Sequence, residues 1–376
     1  MAPTIMGKAL AAEIPVALVG CGAISRFFYV PALKALAGAE TLRIAALIDP
    51  STQNLSRLAA DFPDAPRFAT IEDAEIGSDH LVIIASPPRF HAAQSIFALR
   101  KGAAVLCEKP MAASLEDAEQ MIATARDGAG LLAIGLYRRF FAAAEAIRRL
   151  IEMETLGLLR SFRIQEGGPF GWQAASESFF RRDATPGGVL YDTGVHTLDL
   201  LLWWLGEPNE ILYEDDAMGG LEANCRVTLS FPNDCAGEVR LSRDWKTENC
   251  YVLSFEHGCV RWTVNDANHL EILVDGLPVS VRGELVQVSR QGGRIIEQGP
   301  ANSNAQSFIE QIRNVAAAKR GLERLKVPGN EGIRALRLID RCYRNRRAMR
   351  IPWLTPNEEI AAQRLAGGAR LVTSVS

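Results

Sequence analysis

The feature that most constrains this chain is a series of short, continuous apolar runs separated by stretches that suit amphipathic helices. The runs are PVALVG, LRIAALID, HLVIIAS, AAVLCEKP and LLAIGL, all between residues 15 and 136. Hydrophobicity that is continuous rather than alternating indicates burial on both faces, as in parallel strands between two helical layers. The pattern therefore predicts an α/β fold, with a doubly wound parallel sheet over residues 14–136.

The start of one helix is marked in the sequence. Ser114 has the character of a capping residue, and Asp117 follows three residues later. We therefore expect a helix to begin there, directly after the strand AAVLCEKP.

The second part of the chain has a different pattern of hydrophobic residues. It contains a helical stretch, FFAAAEAIRRLIEM, then the strand-like segments LRSFRIQEG, CRVTLSF, AGEVRLSR, NCYVLSFE and CVRWTV, and then further helical stretches. Several segments alternate apolar with polar residues, the period of an antiparallel sheet that packs on one face. We predict an α+β domain over residues 137–354, with residues 1–13 as a loose N-terminal extension and residues 355–376 as a tail.

Length and composition exclude several classes of protein. A chain of 376 residues exceeds the size at which a single core stops growing, so two domains are expected. The formal net charge of -3 gives no field that would attract nucleic acid. No apolar stretch reaches the roughly 20 residues needed to span a bilayer. The cysteines form no CxxC pair, which argues against a disulfide framework or a zinc ribbon and favours a reducing cytoplasm.

A glycine turn follows the first apolar run and opens a helical stretch. In the segment GCGAIS, residues 20–25, the first glycine can make the tight turn and the second lets the backbone approach a pyrophosphate at the helix N-terminus. Ser25 replaces the third glycine of the dinucleotide fingerprint, and its small size is compatible with close helix packing. The residues expected to bind a dinucleotide here are Gly20, Gly22, Ala23 and Ile24.

Asp49 ends the second apolar run, 24 residues after Ser25, where an acid can accept hydrogen bonds from a ribose diol. An acid at this position repels a 2′-phosphate, so NAD is favoured over NADP as the cofactor. NADP stays possible, because Ser51 or Arg57 nearby could reorganise to accept the phosphate. A turn aspartate ahead of Pro50 is the alternative to any cofactor role.

The strand AAVLC ends in Glu108-Lys109-Pro110, which places an acid and a base at the carboxyl edge of the predicted sheet. Ligands bind at this edge in doubly wound folds. A lysine there can hydrogen-bond a substrate oxygen and stabilise developing negative charge. Taken alone, the two charged residues would be better explained as a solvated pair at a strand end.

A second candidate site lies far along the chain, in GGVLYDTGVHTLD, ahead of the apolar run LLLWWLG. If this segment opens a helix, Asp192, His196 and Asp199 fall at i, i+4 and i+7 on one face. His196 could then act as a general base near neutral pH, with a carboxylate one turn away orienting it or raising its basicity. The alternatives are a core histidine beside a capping aspartate and a metal site. The lack of a second histidine nearby and the presence of Lys109 disfavour the metal site.

These motifs together resemble the Gfo/Idh/MocA family of oxidoreductases, which includes inositol dehydrogenases and glucose-fructose oxidoreductase. The resemblance is carried by VGCGAIS, LIDP, ASPPRFHAAQSIFALRKGAAVLCEKPMA, GLYRRFF and GGVLYDTGVHTLDLLLWWLGEP, and it extends over most of the chain. The combination of EKP with D-x3-H-x2-D is more specific than either motif alone. The family pattern implies a Rossmann domain followed by an α+β domain with an open, mainly antiparallel sheet, through which members assemble into dimers or tetramers.

The resemblance also implies roles for individual residues. Catalysis is expected of Lys109, Asp192 and His196, the three residues singled out above. Tyr137 and Arg138 are expected near the active-site cleft and, with the catalytic residues, to bind substrate. The residues expected beside the cofactor, mainly on its nicotinamide side, are Ser86, Pro87, His91, Glu108 and Lys109.

The combined prediction is an NAD(P)-dependent oxidoreductase that transfers hydride between the nicotinamide and a secondary alcohol or ketone of a sugar, polyol or derivative. His196 would take the hydroxyl proton, Lys109 would polarise the same oxygen, and Asp192 would orient His196 and help to hold the substrate. We expect a cytoplasmic homodimer or homotetramer with no metal, nucleic acid or membrane as partner. Two alternatives stay open: a non-catalytic sensor that binds NAD(P), and a lyase or epimerase that uses NAD transiently.

Overall fold

The computed structural model describes most of the chain. The described residues are 13–37, 42–172, 180–276, 281–284, 286–291, 294–300, 303–352 and 354–367. The expected N-terminal extension lies outside them except for Glu13, and the expected tail is described as far as residue 367. Among the described helices, none combines the length and the apolar composition needed to cross a lipid bilayer.

The first part of the chain forms a parallel sheet. Its strands are β1 (Ile14–Val19), β2 (Leu42–Ile48), β3 (Arg67–Phe68), β4 (Leu81–Ile84), β5 (Ala104–Cys107) and β6 (Leu131–Ile134). They pair in the order β3-β2-β1-β4-β5-β6. The doubly wound sheet that the apolar runs predicted is confirmed, and each run supplies one strand. The short strand β3 was not predicted, because its two residues are exposed or half-buried and carry no apolar pattern.

Helices cover both faces of this sheet. They are α1 (Val30–Ala37), α2 (Thr52–Ala59), α3 (Pro88–Arg100) and α4 (Leu115–Asp127). A π-helical turn over Ser25–Tyr29 leads into α1. Helix α4 begins where the sequence predicted, because Ser114 Oγ accepts a hydrogen bond from Asp117 N at 3.1 Å and so caps the helix.

The second part of the chain builds a larger sheet. Its strands are β7 (Leu159–Gly167), β8 (Glu210–Asp215), β9 (Asn224–Phe231), β10 (Cys235–Ser242), β11 (Cys250–Phe255), β12 (Gly258–Thr263), β13 (His269–Val274), β14 (Val281–Glu284) and β17 (Arg346–Ala348), while β15 (Val286–Gln291) and β16 (Arg294–Pro300) form a separate hairpin. The order is β14-β13-β12-β11-β7-β10-β9-β8-β17. Of the described pairings, β7 with β10 and β8 with β17 are parallel and the others antiparallel. This confirms the prediction of a mainly antiparallel sheet.

The helices of the second part are α5 (Ala142–Glu152), α6 (Val195–Leu205), α7 (Ser303–Lys319), α8 (Gly329–Arg344) and α9 (Pro356–Gly367). Helix α6 is entered through a π-helical turn over Leu190–Gly194. Helix α9 lies in the segment expected as a tail, and its Ala362 and Ala366 pack against Ala348. The last residues of that segment, 368–376, lie outside the described part.

Helix α7 returns to the first domain. Its Phe308, Ile312 and Val315 are buried in one cluster with Val16 and Leu18 of strand β1. Residues far apart in the chain therefore share one core, and helix α7 joins that core from beyond the boundary predicted at residue 136. We keep this boundary as a proposal.

We predict that Phe308→Ala lowers the free energy of unfolding by about 3–5 kcal/mol, because it deletes a buried ring. This ring stacks on Phe28 and Tyr137 with centroids 4.8 and 5.4 Å away. Leu322→Ala, just beyond the same helix and 73% exposed, is the matched control and should change stability by less than about 0.5 kcal/mol. Urea unfolding measures both. Equal, small losses would show that α7 is not part of the first core.

Candidate active site

The candidate site lies at the carboxyl edge of the first sheet, where the strand order reverses between β1 and β4. Gly20 follows β1, Ser86 follows β4 and Lys109 lies just beyond β5. This switch point is where doubly wound sheets bind ligands. The π-helical turn that carries Asp192 approaches the same edge from the second part of the chain.

The glycine turn is built for close backbone approach. Gly20 has φ +87°, and a Cβ there would lie 2.5 Å from Ser86 N, so this position requires glycine. Around Gly22 the space is open, with no atom of the described residues within 4 Å of a Cβ built there. Ser25 Oγ, fully buried, donates to Gly20 O at 2.5 Å. Ser25 therefore takes part in the turn that the third glycine would otherwise complete, and Ala23 and Ile24 beside it are half-buried.

Asp49 holds this turn from the neighbouring strand. Its Oδ2 accepts from Cys21 N at 2.7 Å, and its Oδ1 accepts from Ser51 N at 2.8 Å. Asn54 Nδ2 donates to both oxygens at 3.3 Å. The carboxylate thus has the role of a turn aspartate ahead of Pro50, which was the alternative to a cofactor role. It also connects the glycine turn to β2. Its contact with a ribose stays a prediction.

Lys109 meets Asp192 across the boundary between the two parts of the chain. Lys109 Nζ donates to Asp192 Oδ1 at 3.0 Å and to Asp192 O at 2.9 Å. Burial on its own would lower the pKa of Lys109, but the negative charge of Asp192 and its hydrogen bond outweigh burial, so this pKa lies above its ordinary value. The ammonium group is therefore kept charged and directed at one site.

His196 lies in the first turn of α6 and is 5% exposed. Burial, and then the positive charges of Lys109 and Arg138, hold the pKa of His196 well below its ordinary value. The ring of Tyr137 packs edge-on against the imidazole, with centroids 4.9 Å apart. His196 is therefore a neutral imidazole at pH 7.

Asp192, His196 and Asp199, expected on one helix face, make different contacts in the structure. Asp192 lies in the π-helical turn over Leu190–Gly194, where hydrogen bonds run from i to i+5, and His196 and Asp199 follow in α6. Asp192 faces Lys109, while Asp199 forms a buried pair with Arg139 at 2.6 Å.

The expectation that a carboxylate orients His196 and raises its basicity is wrong. Within the described residues, His196 Nδ1 is buried and has no hydrogen-bond partner. The charges that reach the ring are positive and lower its pKa. The carboxylates also diverge, and across the described part of the chain no three His, Cys, Asp or Glu side chains converge as metal ligands.

Tyr137 and Arg138, both expected at the cleft, differ from each other in burial and in hydrogen-bond partners. Tyr137 is half-buried and its hydroxyl donates to Asn265 Oδ1 at 3.4 Å. Arg138 is 3% exposed and makes two hydrogen bonds to Glu166, at 2.8 and 2.5 Å. The charge of this buried, paired guanidinium lowers the pKa of His196. Direct contact of Tyr137 or Arg138 with substrate stays a prediction.

His91 and Glu108, expected beside the cofactor, are buried and bonded to neighbouring segments. His91 is fully buried, with Nδ1 2.9 Å from Pro110 O and Nε2 2.8 Å from Ser86 O. Glu108 accepts from Tyr29 Oη at 2.6 Å and from the backbone N of its neighbour Lys109 at 3.0 Å. Both side chains hold the adjoining loops in place, and their contact with a cofactor stays a prediction.

The loop after β4 faces outward at its tip. Ser86 is half-buried and donates to Gln94 Oε1 at 2.6 Å, whereas Pro87 is exposed. This leaves the surface at Pro87 open to a ligand. Direct contact between these residues and the cofactor stays a prediction.

Sequence reasoning missed Arg243, which follows strand β10. Its side chain is 10% exposed, and Nη2 lies 3.9 Å from Asp192 Oδ2. The guanidinium also lies over the rings of Phe170 and Phe180. The sequence signal was its position at the end of the strand AGEVRLSR, which does not reveal that the strand ends beside Asp192.

Comparison with family models covers both parts of the chain. Residues 14–136 match an oxidoreductase family model with an NAD-binding Rossmann fold. Residues 144–261 match the model of the GFO/IDH/MocA C-terminal domain. Together the two matches cover more than half of the chain.

Named relatives align with parts of the chain. D-glucoside 3-dehydrogenase of Escherichia coli K12 is 33% identical over 131 residues, 34% of this chain and 36% of the relative. Trans-1,2-dihydrobenzene-1,2-diol dehydrogenase of Sus scrofa is 28% identical over 212 residues, 54% of this chain and 58% of the relative. The matched region thus spans about a third of the first relative and little more than half of the second.

A solved structure shows the same fold over nearly the whole chain. An oxidoreductase from Agrobacterium radiobacter, in complex with NAD+, L-tartaric acid and magnesium, superposes with a TM-score of 0.72 at 18% identity. The match covers 89% of this chain and 96% of that one. At this level of identity the likeness establishes the fold alone.

We predict that His196 makes the protein less stable in acid. Its pKa is well below 6.5 in the folded chain and about 6.5 in the unfolded chain. The unfolded chain therefore takes up a proton that the folded chain does not, so this stability is present above pH 6.5 and is lost as the pH falls. Between about pH 7.5 and about pH 5.5, His196→Gln should lose about 1 kcal/mol less than wild type.

Urea unfolding at the two pH values measures this difference. His257→Gln, which changes an exposed histidine in the turn between β11 and β12, is the control and should lose as much stability as wild type. An equal loss in His196→Gln and wild type would contradict the prediction.

Proposed function

Because the chain belongs to the Gfo/Idh/MocA family of oxidoreductases, we propose that it transfers hydride between a nicotinamide cofactor and a secondary alcohol or ketone of a sugar, a polyol or a derivative. The observation that carries the proposal is the contact of Lys109 with Asp192 at 3.0 Å beside a buried, neutral His196. A cationic donor and a neutral base at one site are the groups that oxidation of an alcohol requires.

The glycine turn fits a dinucleotide. The open space at Gly22 leaves room for a pyrophosphate at the N-terminus of the π-helical turn and α1. Asp49 lies against that turn and offers its carboxylate to a ribose diol, while its negative charge disfavours a 2′-phosphate. We therefore propose NAD as the preferred cofactor, with NADP as the second choice.

The side chains divide the reaction between them. A nicotinamide cofactor held at the glycine turn would supply the acceptor for the hydride that leaves the carbon bearing the hydroxyl. His196 accepts the hydroxyl proton, and Lys109 donates a hydrogen bond to the same oxygen while the carbonyl forms. Asp192 holds the Lys109 ammonium in place and lies at the cleft to help bind substrate. Reduction of a ketone uses the same groups in reverse, with the proton returning from His196.

The class of substrate is supported by the relatives. The two named above are dehydrogenases of a glucoside and of a cyclic diol. The half-buried Tyr137 ring and the paired charges of Lys109 and Asp192 offer an apolar surface and hydrogen-bonding groups side by side. Such a combination suits a ring that carries several hydroxyl groups.

We also propose that copies of the chain assemble as a homodimer or homotetramer through the open face of the second sheet. In strand β9 every second residue is buried, which leaves the alternate side chains on the opposite face. There Arg226 pairs with Glu214 and approaches Glu238 at 3.7 Å. We propose a cytoplasmic location, because all the cysteines lie in the described part as free thiols.

We predict that His196→Ala lowers kcat by about 10²–10⁴-fold, because it removes the base. Lys109→Ala should lower kcat by about 10²–10³-fold, because it removes the donor to the substrate oxygen. Lys101→Ala, an exposed lysine just beyond α3, is the control and should leave kcat unchanged. The measurement is reduced-cofactor absorbance over a panel of polyols and sugars.

The same assay separates the alternatives. If wild type binds NAD and turns over nothing, the enzyme proposal fails and the sensor is favoured. If cofactor is retained through purification and turnover forms no net NADH, the lyase or epimerase is favoured.

We predict that Asp49→Asn shifts cofactor preference toward NADP. The amide keeps the size of the side chain and loses the charge that repels a 2′-phosphate, so the ratio of kcat/KM for NADP to that for NAD should rise by about tenfold. Asp127→Asn is the control, since this exposed acid ends α4 at the opposite edge of the sheet. An unchanged ratio in Asp49→Asn would show that Asp49 serves the turn alone.

A further inference from the structure

The start of the segment that carries Asp192 and His196 is held by a single residue, Glu222. Glu222 Oε1 accepts hydrogen bonds from Gly188 N at 3.0 Å and Leu190 N at 3.1 Å. The backbone carbonyl of Glu222 accepts from the amide between them, Val189 N, at 3.0 Å. Three consecutive amides, the last of which belongs to the first residue of the π-helical turn, are therefore bonded to one residue from the loop between β8 and β9.

These amides belong to a helix start, where N–H groups have no partner within the helix. A carboxylate that accepts from them also lies at the positive end of the helix dipole. Asp192 is two residues beyond the last of them, and His196 is six residues beyond. The position and rotation of this helix start therefore determine where both side chains point.

The Glu222 carboxylate is itself fixed by hydrogen bonds from other side chains. It is 1% exposed, and Tyr343 Oη donates to its Oε1 at 2.6 Å. Arg346 Nη2 donates to its Oε2 at 3.3 Å, and Arg346 Nε pairs with Asp215 at 2.6 Å. Each carboxylate oxygen thus has a fixed partner, so the side chain has one orientation.

The glycine pair in GGVLYDTGVHTLD is explained by this contact. A Cβ on Gly188 would overlap the backbone carbonyl of Glu222, and a Cβ on Gly187 would overlap Tyr343 Oη. The close approach of Glu222 and Tyr343 to this segment therefore requires two glycines.

We infer that Glu222 is a positioning residue for the reaction proposed above, and that it acts by fixing the start of the helix that presents Asp192 and His196. Asp192 in turn fixes Lys109. Glu222 touches none of the three side chains in the contacts described for them, and its effect reaches the chemistry through the backbone. The inference rests on the proposed function for its kinetic consequence, and on the geometry alone for its effect on His196.

The test compares Glu222→Ala with Glu222→Gln and with Asp215→Ala. Glu222→Ala removes the acceptor and should lower kcat by about 10–100-fold, since small displacements of catalytic groups have effects of this size. The cofactor Kd should be unchanged, because the glycine turn is untouched. Glu222→Gln keeps an oxygen that can accept from Gly188 and Leu190, and should restore most of kcat.

Asp215→Ala is the matched control. It removes a buried carboxylate from the same cluster, but Asp215 makes no contact with Gly188, Val189 or Leu190 among the bonds described for it. Asp215→Ala should lower thermal stability as Glu222→Ala does. Its kcat should stay within about twofold of wild type, a much smaller change than misplaced catalytic groups would cause. Equal losses of kcat in the two alanine variants would overturn the inference.

A second readout does not depend on turnover. The imidazole NMR signal of His196, assigned by its loss in His196→Gln, should shift in Glu222→Ala and stay in place in Asp215→Ala. If wild type turns nothing over and this signal still shifts, the proposed function fails and the inference on Glu222 stands. An unchanged signal in Glu222→Ala overturns the inference whatever the kinetics.

If Glu222→Ala does not fold, Glu222→Asp replaces it. This variant keeps the charge and withdraws the carboxylate by about 1.5 Å, the length of one bond. The same loss of kcat and the same shift of the His196 signal are expected, and their absence overturns the inference.

Discussion

The contact between Lys109 and Asp192 joins the two parts of the chain at the point where the chemistry is proposed. Lys109 comes from the edge of the parallel sheet, and Asp192 offers it a carboxylate and a backbone carbonyl at 3.0 and 2.9 Å. Burying a lone ammonium is costly, and a close carboxylate offsets that cost. The contact therefore requires the strand end and the π-helical turn to be placed together, and the neighbouring buried groups serve that placement.

Around this contact, buried charges are paired so that His196 stays neutral. Arg138 is bonded to Glu166 and Arg139 to Asp199, and neither carboxylate is among the charges that shift the pKa of His196. The positive charges of Lys109 and Arg138, together with burial, lower the pKa of His196. A histidine in such surroundings can accept a proton from an alcohol at neutral pH and release it readily afterwards.

Much of the fold and part of the site could be predicted from local patterns. Continuous apolar runs identified the strands of the first sheet other than β3, and alternating segments identified β7 and β9 to β12. Strands β8 and β13 were not predicted from the sequence. Their residues do not alternate strictly between buried and exposed, and their burial depends on the strands that pair with them. Lys109, Asp192 and His196 were singled out by residue type and spacing, and the structure brings Lys109 and Asp192 into contact and His196 within reach of the charge of Lys109.

What the chain alone could not specify was the direction in which the site residues point. Residue types and hydrophobic periods follow from local physics, so they show in the sequence as strands, helix starts and candidate groups. Several features of the site depend instead on contacts between distant segments. They are the π-helical turn, the pairing of Asp199 with Arg139 and the hydrogen bonds that Glu222 accepts from the helix start. The sequence predicted that a carboxylate orients His196, whereas the structure shows a buried, neutral imidazole. The difference arises because burial and the sign of nearby charges are set only when the segments pack together.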